Sequence, residues 1–239
     1  MSIRYQTEGF LIRKKDQGEA DQALTFYTKD FGKIIVLGKG IRKIQSKLKY
    51  GAGLLSFSEI EFIQGKNIKT LTDTRCSDSF EGIRNNLECL KASIKICGFL
   101  DLFSPLEEKE ENIYNLLRKT FREVGNKDNI FLASQYFFWN FLKLMGYQPS
   151  LYHCACCQKE LSPERLSFDC QEGGVVCKEC AGGDSGLIDA ETVKFLRLFN
   201  KKSFEDLKKI KVLKEHKDSL NKVLSDYVSY FKKSNNLLY

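Results

Sequence analysis

Up to about residue 79 the chain is patterned in short runs. Gly9 to Arg13, Leu24 to Thr28, Lys33 to Leu37, Ser56 to Ile63 and Lys69 to Thr74 are rich in β-branched and aromatic residues and are separated by turn signals. Such runs predict strands, whose successive side chains point to opposite faces. Lys29-Asp30-Phe31-Gly32 divides the second run from the third as a hairpin would, with Gly32 free to adopt positive φ. So many short strands in so short a segment predict a small barrel or sandwich.

From Ser79 the period lengthens. Phe80, Ile83, Leu87, Leu90, Ile94 and Cys97 recur at steps of three and four, which predicts a helix with one apolar stripe. Ser104-Pro105-Leu106-Glu107 combines an N-cap serine, proline at the first helical position and a capping-box glutamate, so a second helix is expected to open there and run to about Val124. The acidic run Glu107, Glu108, Glu110 and Glu111 suits the positive end of that helix. A third, Asn129 to Met145, is apolar around nearly its whole circumference and should lie at the centre of a bundle, closed by Gly146 and Pro149. Helical spacing returns at Ile188 to Phe199 and Lys214 to Phe231. The expected class is α+β, with the strands first and the helices after them.

Two short clips interrupt the helical part. Cys154 with Cys157 and Cys177 with Cys180 form a C-x2-C-x19-C-x2-C spacing, which reads as a tetrahedral site for one structural Zn2+. Four thiolates leave no open position for water or substrate. Cys156, Cys170 and His153 lie in or beside the clips and are alternative ligands, but the paired four fit the spacing best. Cys76, Cys89 and Cys97 read as small core or surface residues. A zinc deaminase would need an H-x-E element, and neither His153 nor His216 begins one. No P-loop occurs, and Gly38-Lys39-Gly40 lacks the third glycine of a dinucleotide fingerprint. These absences point away from an enzyme.

The net charge of +7 is unevenly spread. Residues 1–75 carry 14 Lys and Arg against 8 Asp and Glu, and residues 186–239 carry 12 against 7. Phe31 to Ser58 contains no acidic residue but holds Lys33, Lys39, Arg42, Lys43, Lys47 and Lys49. Cations on a strand and the glycine-bearing loop after it suit contact with a phosphate backbone, helped by backbone N–H groups near Gly38 and Gly40. Tyr27, Phe31, Tyr50 and Phe57 are candidates for stacking on bases or for the core. Lys201, Lys202, Lys208, Lys209, Lys211, Lys214 and Lys217 read equally as solubilising residues or as a second basic surface. The start of the chain lacks the apolar core of a secretory signal, and no run is long enough to span a membrane, so a cytoplasmic protein with reduced thiols is expected.

Gly9-Phe10-Leu11-Ile12, Gly18-Glu19-Ala20-Asp21, Phe26-Tyr27-Thr28, Gly32-Lys33 and Gly40-Ile41-Arg42-Lys43 followed by Ser46 resemble the N-terminal pattern of the bacterial RecO family of DNA repair and recombination mediators. Cys154-Ala155-Cys156-Cys157 and Gly173-Gly174-Val175-Val176-Cys177-Lys178-Glu179-Cys180 resemble the zinc clip of that family. The resemblance implies a five-stranded OB-fold barrel over residues 1–79. It implies an all-α domain over 80–239 with a four-cysteine zinc element inserted at about 150–185. It further implies binding of single- and double-stranded DNA, annealing of complementary strands, and work with RecR and the single-stranded-DNA-binding protein to load RecA near the nucleoid. The competing expectation is a zinc-stabilised protein-protein adaptor whose basic end is incidental.

Overall fold

Five strands, β1 (Ile3–Gln17), β2 (Asp21–Thr28), β3 (Gly32–Gly38), β4 (Phe57–Gln64) and β5 (Lys69–Asp78), close into a barrel in the order β1-β2-β3-β5-β4. The computed structural model describes residues 3–183 and 186–234 and divides into two compact units, Met1–Ile130 and Phe131–Tyr239. The barrel is that of an OB-fold. Its ladders are antiparallel except where β3 meets β5 through Val36 with Lys69 and Leu37 with Thr70, the parallel pair that closes the cylinder. Leu11, Leu24, Phe26, Ile34, Val36, Ile60, Phe62 and Leu71 fill the interior. The loop from β3 to β4, which contains a one-turn helix α1 (Leu48–Gly51), adds Ile41 and Ala52 to the same core, with Leu48 packed against it. Two fully inserted side chains thus tether a loop that carries most of the lysines of the basic stretch, Arg42 and also Ile44.

The helix expected from Phe80 is broken. Phe80 takes a left-handed conformation, φ 46°, and its ring stacks on Phe10 with centroids 5.9 Å apart. A short α2 (Glu81–Arg84) follows, and α3 (Leu87–Phe103) then starts afresh at Asn86, whose side chain accepts from the N–H groups of Glu88 and Cys89 at 2.9 and 3.1 Å. The restart shifts the phase. Leu87 and Ile94 are exposed, and the buried face is instead Cys89, Ser93, Ile96, Cys97, Phe99, Leu100 and Phe103.

The second helix also begins later than its capping box implies. Instead of a helical turn at Ser104, the backbone N–H of Glu107 donates to the Lys33 carbonyl at 2.8 Å, Leu106 bridges Lys33 in parallel, and Glu107 adopts φ 62°. Only at α4 (Glu111–Val124) does the helix open, capped by the Glu110 carboxylate. Pairing with the edge of β3 satisfies backbone groups that a local cap would have satisfied, and tertiary context overrides the motif. Gly32, at φ 61°, permits this approach: a Cβ there would stand 1.8 Å from the Glu108 carbonyl oxygen. Gly32→Ala is therefore expected to cost about 2–4 kcal/mol, read as a fall in the urea midpoint; an unchanged midpoint would show that the 105–110 segment is free to move.

In the second unit α5 (Ile130–Leu144) buries Phe137, Phe138, Trp139, Phe141 and Leu142. Trp139 Nε1 donates to Gln135 at 2.8 Å, and Gln135 in turn donates to Asn221 at 2.9 Å, so the polar edge of the indole is satisfied inside the core. A small antiparallel sheet that the sequence pattern did not announce, β6 (Leu166–Asp169), β7 (Gly174–Val176) and β8 (Gly186–Ile188) in the order β7-β6-β8, fills the stretch around the second clip. The unit ends with α6 (Ala190–Lys201), α7 (Phe204–Leu207) and α8 (Lys214–Ser234).

Asp189 caps α6, accepting from the Thr192 N–H at 2.8 Å and its hydroxyl at 2.6 Å. Burial pushes its carboxyl up, but the Thr192 donors and the nearby His216 outweigh this and hold it below the usual value. A depressed acid stabilises the fold above its unfolded pKa and loses that contribution as pH falls through the folded value. Asp189→Ala is expected to cost about 1 kcal/mol at neutral pH, with the gap from the unsubstituted chain closing below about pH 4. Thermal melts across pH test this; a gap constant down to pH 3 contradicts it.

Candidate metal centre and nucleic-acid interface

The four paired cysteines meet. The thiol sulfurs of Cys154, Cys157, Cys177 and Cys180 all lie within 4.8 Å of one another, and Cys157 is 3.9 Å from Cys177. A tetrahedral ion with metal–sulfur bonds of about 2.3 Å needs sulfurs about 3.8 Å apart, so the group fits a metal with little adjustment. Each clip is a tight turn. Gln158 N–H donates to the Cys154 carbonyl at 3.0 Å with Gln158 at φ 61°, and the N–H groups of Cys180 and Ala181 donate to the Cys177 carbonyl at 3.1 and 3.0 Å. Ala155 N–H donates to the Val175 carbonyl at 2.9 Å, joining the first clip to β7 and thus to the second.

Cys154 is fully buried, and its sulfur accepts from the N–H groups of Cys157 and Cys177 at 3.5 and 3.4 Å. Burial alone would raise this thiol, but those donors and the Cys156 backbone prevail and bring it down to about 6. A metal requires thiolates; the group favours that form at Cys154 and disfavours it at Cys157 and Cys180, so binding releases protons. Among the described residues this is the group that could hold a metal ion. Cys156 and His153 are exposed, Cys170 is half-buried, and none of them belongs to it.

The basic residues divide. Lys39, Arg42, Lys43, Lys47 and Lys49 are exposed on the loop that Ile41, Leu48 and Ala52 anchor to the barrel. The loop is also fastened to the β1–β2 turn: Gly40 N–H donates to Asp21 at 2.7 Å, Arg42 N–H to the Ala20 carbonyl at 3.0 Å, and the Arg42 guanidinium stands 3.4 Å from Asp16. Lys33 is elsewhere. It is 8% exposed, its ammonium donates to the Asp101 carbonyl at 2.5 Å and faces the Asp101 carboxylate at 3.6 Å, so it ties β3 to α3 and has no charge to offer a phosphate. Among the backbone groups near Gly38 and Gly40, the Gly40 N–H is already taken by Asp21.

Of the aromatic candidates, Tyr27 and Phe57 are buried and Phe31 packs on Tyr5 and Phe62. Tyr50 is 75% exposed, with the Lys49 ammonium 5.3 Å from its ring centre, and Ile44 on the same loop is 86% exposed. Nothing in the pattern singled out Ile44; its exposure follows from the loop fold. A groove elsewhere on the barrel is lined by five carboxylates, Glu8, Asp30, Glu59, Glu61 and Asp73, against two cations, Lys29 and Arg75. Along β1, Glu8 and the Asp16 that holds the loop are separated by roughly 25 Å of strand. The barrel therefore has a cationic loop at one end of β1 and an acidic groove nearer the other.

An OB barrel bearing a cationic loop is joined to a helical unit that carries a four-thiol group fit for a metal. The model described as Recombination protein O N terminal matches residues 1–80, and that described as Recombination protein O C terminal matches residues 85–231. The chain belongs to the recombination protein O family. It is 34% identical over 212 residues to a DNA repair protein RecO of Dehalococcoides mccartyi (strain CBDB1), covering 88% of this chain and 84% of that one. A DNA repair protein RecO of Alkaliphilus metalliredigens (strain QYMF) is 30% identical over 227 residues, covering 93% and 92%. Among the described residues no helix is long and apolar enough to cross a membrane.

Proposed function

We propose that this chain is a non-enzymatic recombination mediator that binds single- and double-stranded DNA, anneals complementary strands, and acts with RecR and the single-stranded-DNA-binding protein to load RecA. The observation that carries the reading is the loop bearing Lys39, Arg42, Lys43, Lys47 and Lys49, anchored by Ile41 and Ala52 with its cations outward. Two complementary strands repel through their phosphates. A protein that neutralises both removes much of that cost without bond chemistry, and released counterions drive the binding. Neither ATP nor a nucleophile enters the step.

Zinc, in this reading, is bound by Cys154, Cys157, Cys177 and Cys180 as one structural ion. It closes the second unit's clips and takes no part in pairing. Domains at 1–79 and 80–239 remain the proposed functional division. Tyr50 supplies the exposed aromatic face: Tyr50→Ala should weaken single-stranded DNA about 5- to 50-fold and duplex DNA much less, because stacking needs an unpaired base. Anisotropy titrations with both substrates check this, and equal losses on the two would assign Tyr50 to loop structure. DNA binding that is absent from the full chain at low salt would favour the adaptor reading instead.

A further inference from the structure

The second unit carries a cationic group that the barrel loop does not explain. Tyr152 lies two residues before Cys154, and its side chain is 39% exposed. The Arg197 guanidinium carbon and the Lys201 ammonium each stand 4.6 Å from the centre of that one ring. Arg197 and Lys201 are one turn apart on α6, which brings them to the same side of the helix. Arg197 is held there by donation from its Nε to the Leu151 carbonyl at 2.8 Å. Lys143, near the end of α5, donates to the Asn200 carbonyl at 3.2 Å and brings a third cation to the last turn of α6.

A helix C-terminus attracts cations, and one cation beside a tyrosine is a common surface contact. Neither effect calls for two cations on one ring. They are no more than twice 4.6 Å apart, about one screening length at cellular salt, so they repel each other. Among the described residues no carboxylate stands within ion-pair distance of Arg197, Lys201 or Lys143 to relieve this. A ligand that carries both repeated anionic charge and flat rings would satisfy every element: phosphates on the cations and a base on the exposed part of Tyr152.

We infer that Tyr152, Arg197, Lys201 and Lys143 form a second binding site for single-stranded nucleic acid, separate from the barrel loop. The inference rests on the reading of the chain as a DNA-binding protein but not on any residue of that loop. It supplies what annealing by one chain requires, since with a single cationic surface two strands compete for the same place. The first cysteine clip gains a further consequence: by fixing the backbone at Cys154 it also sets where the Tyr152 ring stands.

The test uses the full-length, metal-replete chain with donor-labelled and acceptor-labelled oligothymidine, which cannot pair with each other, in twofold excess over protein. Energy transfer then reports two strands on one protein. Lys201→Glu and Tyr152→Leu are expected to lower the transfer about tenfold while changing affinity for the first strand less than about twofold, and Tyr152→Phe, which keeps the ring, should retain it. Metal content and circular dichroism of each variant are measured in parallel; Lys201→Glu, whose side chain touches no ligand cysteine, decides if Tyr152→Leu loses metal. Unchanged transfer in Lys201→Glu overturns the site. So does a variant that keeps the second strand but no longer binds a poly-glutamate peptide, which would make the patch a dock for acidic proteins. If the unsubstituted chain binds no strand at all, the DNA-binding reading falls and takes this inference with it, whereas the chain with Arg42 and Lys43 reversed should still hold one strand, more weakly, and complete loss of binding in that variant also overturns the site.

Discussion

Reversal of both Arg42 and Lys43 to glutamate is expected to weaken single-stranded DNA binding about 10- to 100-fold near physiological salt, by similar factors for unrelated sequences. Both side chains are exposed on a loop whose backbone is held by the barrel, and because Arg42 also pairs with Asp16 at 3.4 Å, Lys43→Glu alone serves as the variant that alters charge without touching a loop contact. Every phosphate that is no longer neutralised takes about 0.7 from the slope of log affinity against log salt for a single strand. The double variant should therefore show a slope shallower by about 1.4. Annealing should decline in parallel, because the same neutralisation lowers the repulsion between strands. Salt-titrated fluorescence anisotropy on two unrelated sequences measures both quantities. Equal affinity at every salt concentration would remove the loop from the interface. A loss confined to one sequence would mean that the loop reads bases instead of holding the backbone.

Removal of the metal, by chelation or by Cys157→Ser, should have the largest structural effect. Structural zinc contributes on the order of 10 kcal/mol of local folding free energy in small modules. The segment between the clips has only the short strands β6 and β7 and a few buried side chains, Leu166, Phe168, Val175 and Val176, to hold it besides the metal. Hydrogen exchange protection should therefore collapse over about residues 150–185, and protease should cut between the two clips. The amides of the barrel ladders should keep their protection, since that unit has its own core. Acid acts in the same direction as chelation, because protons compete with the metal for sulfur and affinity falls as pH drops. A chelated chain with intact protection across this segment would show that the cysteines brace nothing.

Much of the architecture was legible because it depends on local periodicity. The runs at Leu24 to Thr28 and Lys33 to Leu37 match β2 and β3 closely, since strands with one face in a barrel core keep a strong pattern. β1 is longer at both ends than its apolar run, because ladder hydrogen bonds to β2 and β4 extend through residues such as Arg4 and Gln17 that carry no hydrophobic signal. The cysteine clips were legible for a different reason: two short spacings already fix the turn geometry that converges four sulfurs. The helix starts at Phe80 and Ser104 were misread because each is decided at a distance. Phe80 is drawn out of helical geometry by its stack on Phe10, and the Ser104 capping motif is superseded by pairing with β3.

The basic loop shows the same division at the level of single residues. That Phe31 to Ser58 is free of acid, and that its lysines and Arg42 sit among glycines, was evident from the chain alone. That Lys33 is spent on Asp101, far away in sequence, was not. Composition and spacing determined which chemistry this protein carries, namely a thiolate metal group and a cationic segment, because those are properties of residues close together along the chain. Which of the cations and rings face solvent was decided by tertiary structure alone, because burial and ion pairing depend on partners that only folding brings near.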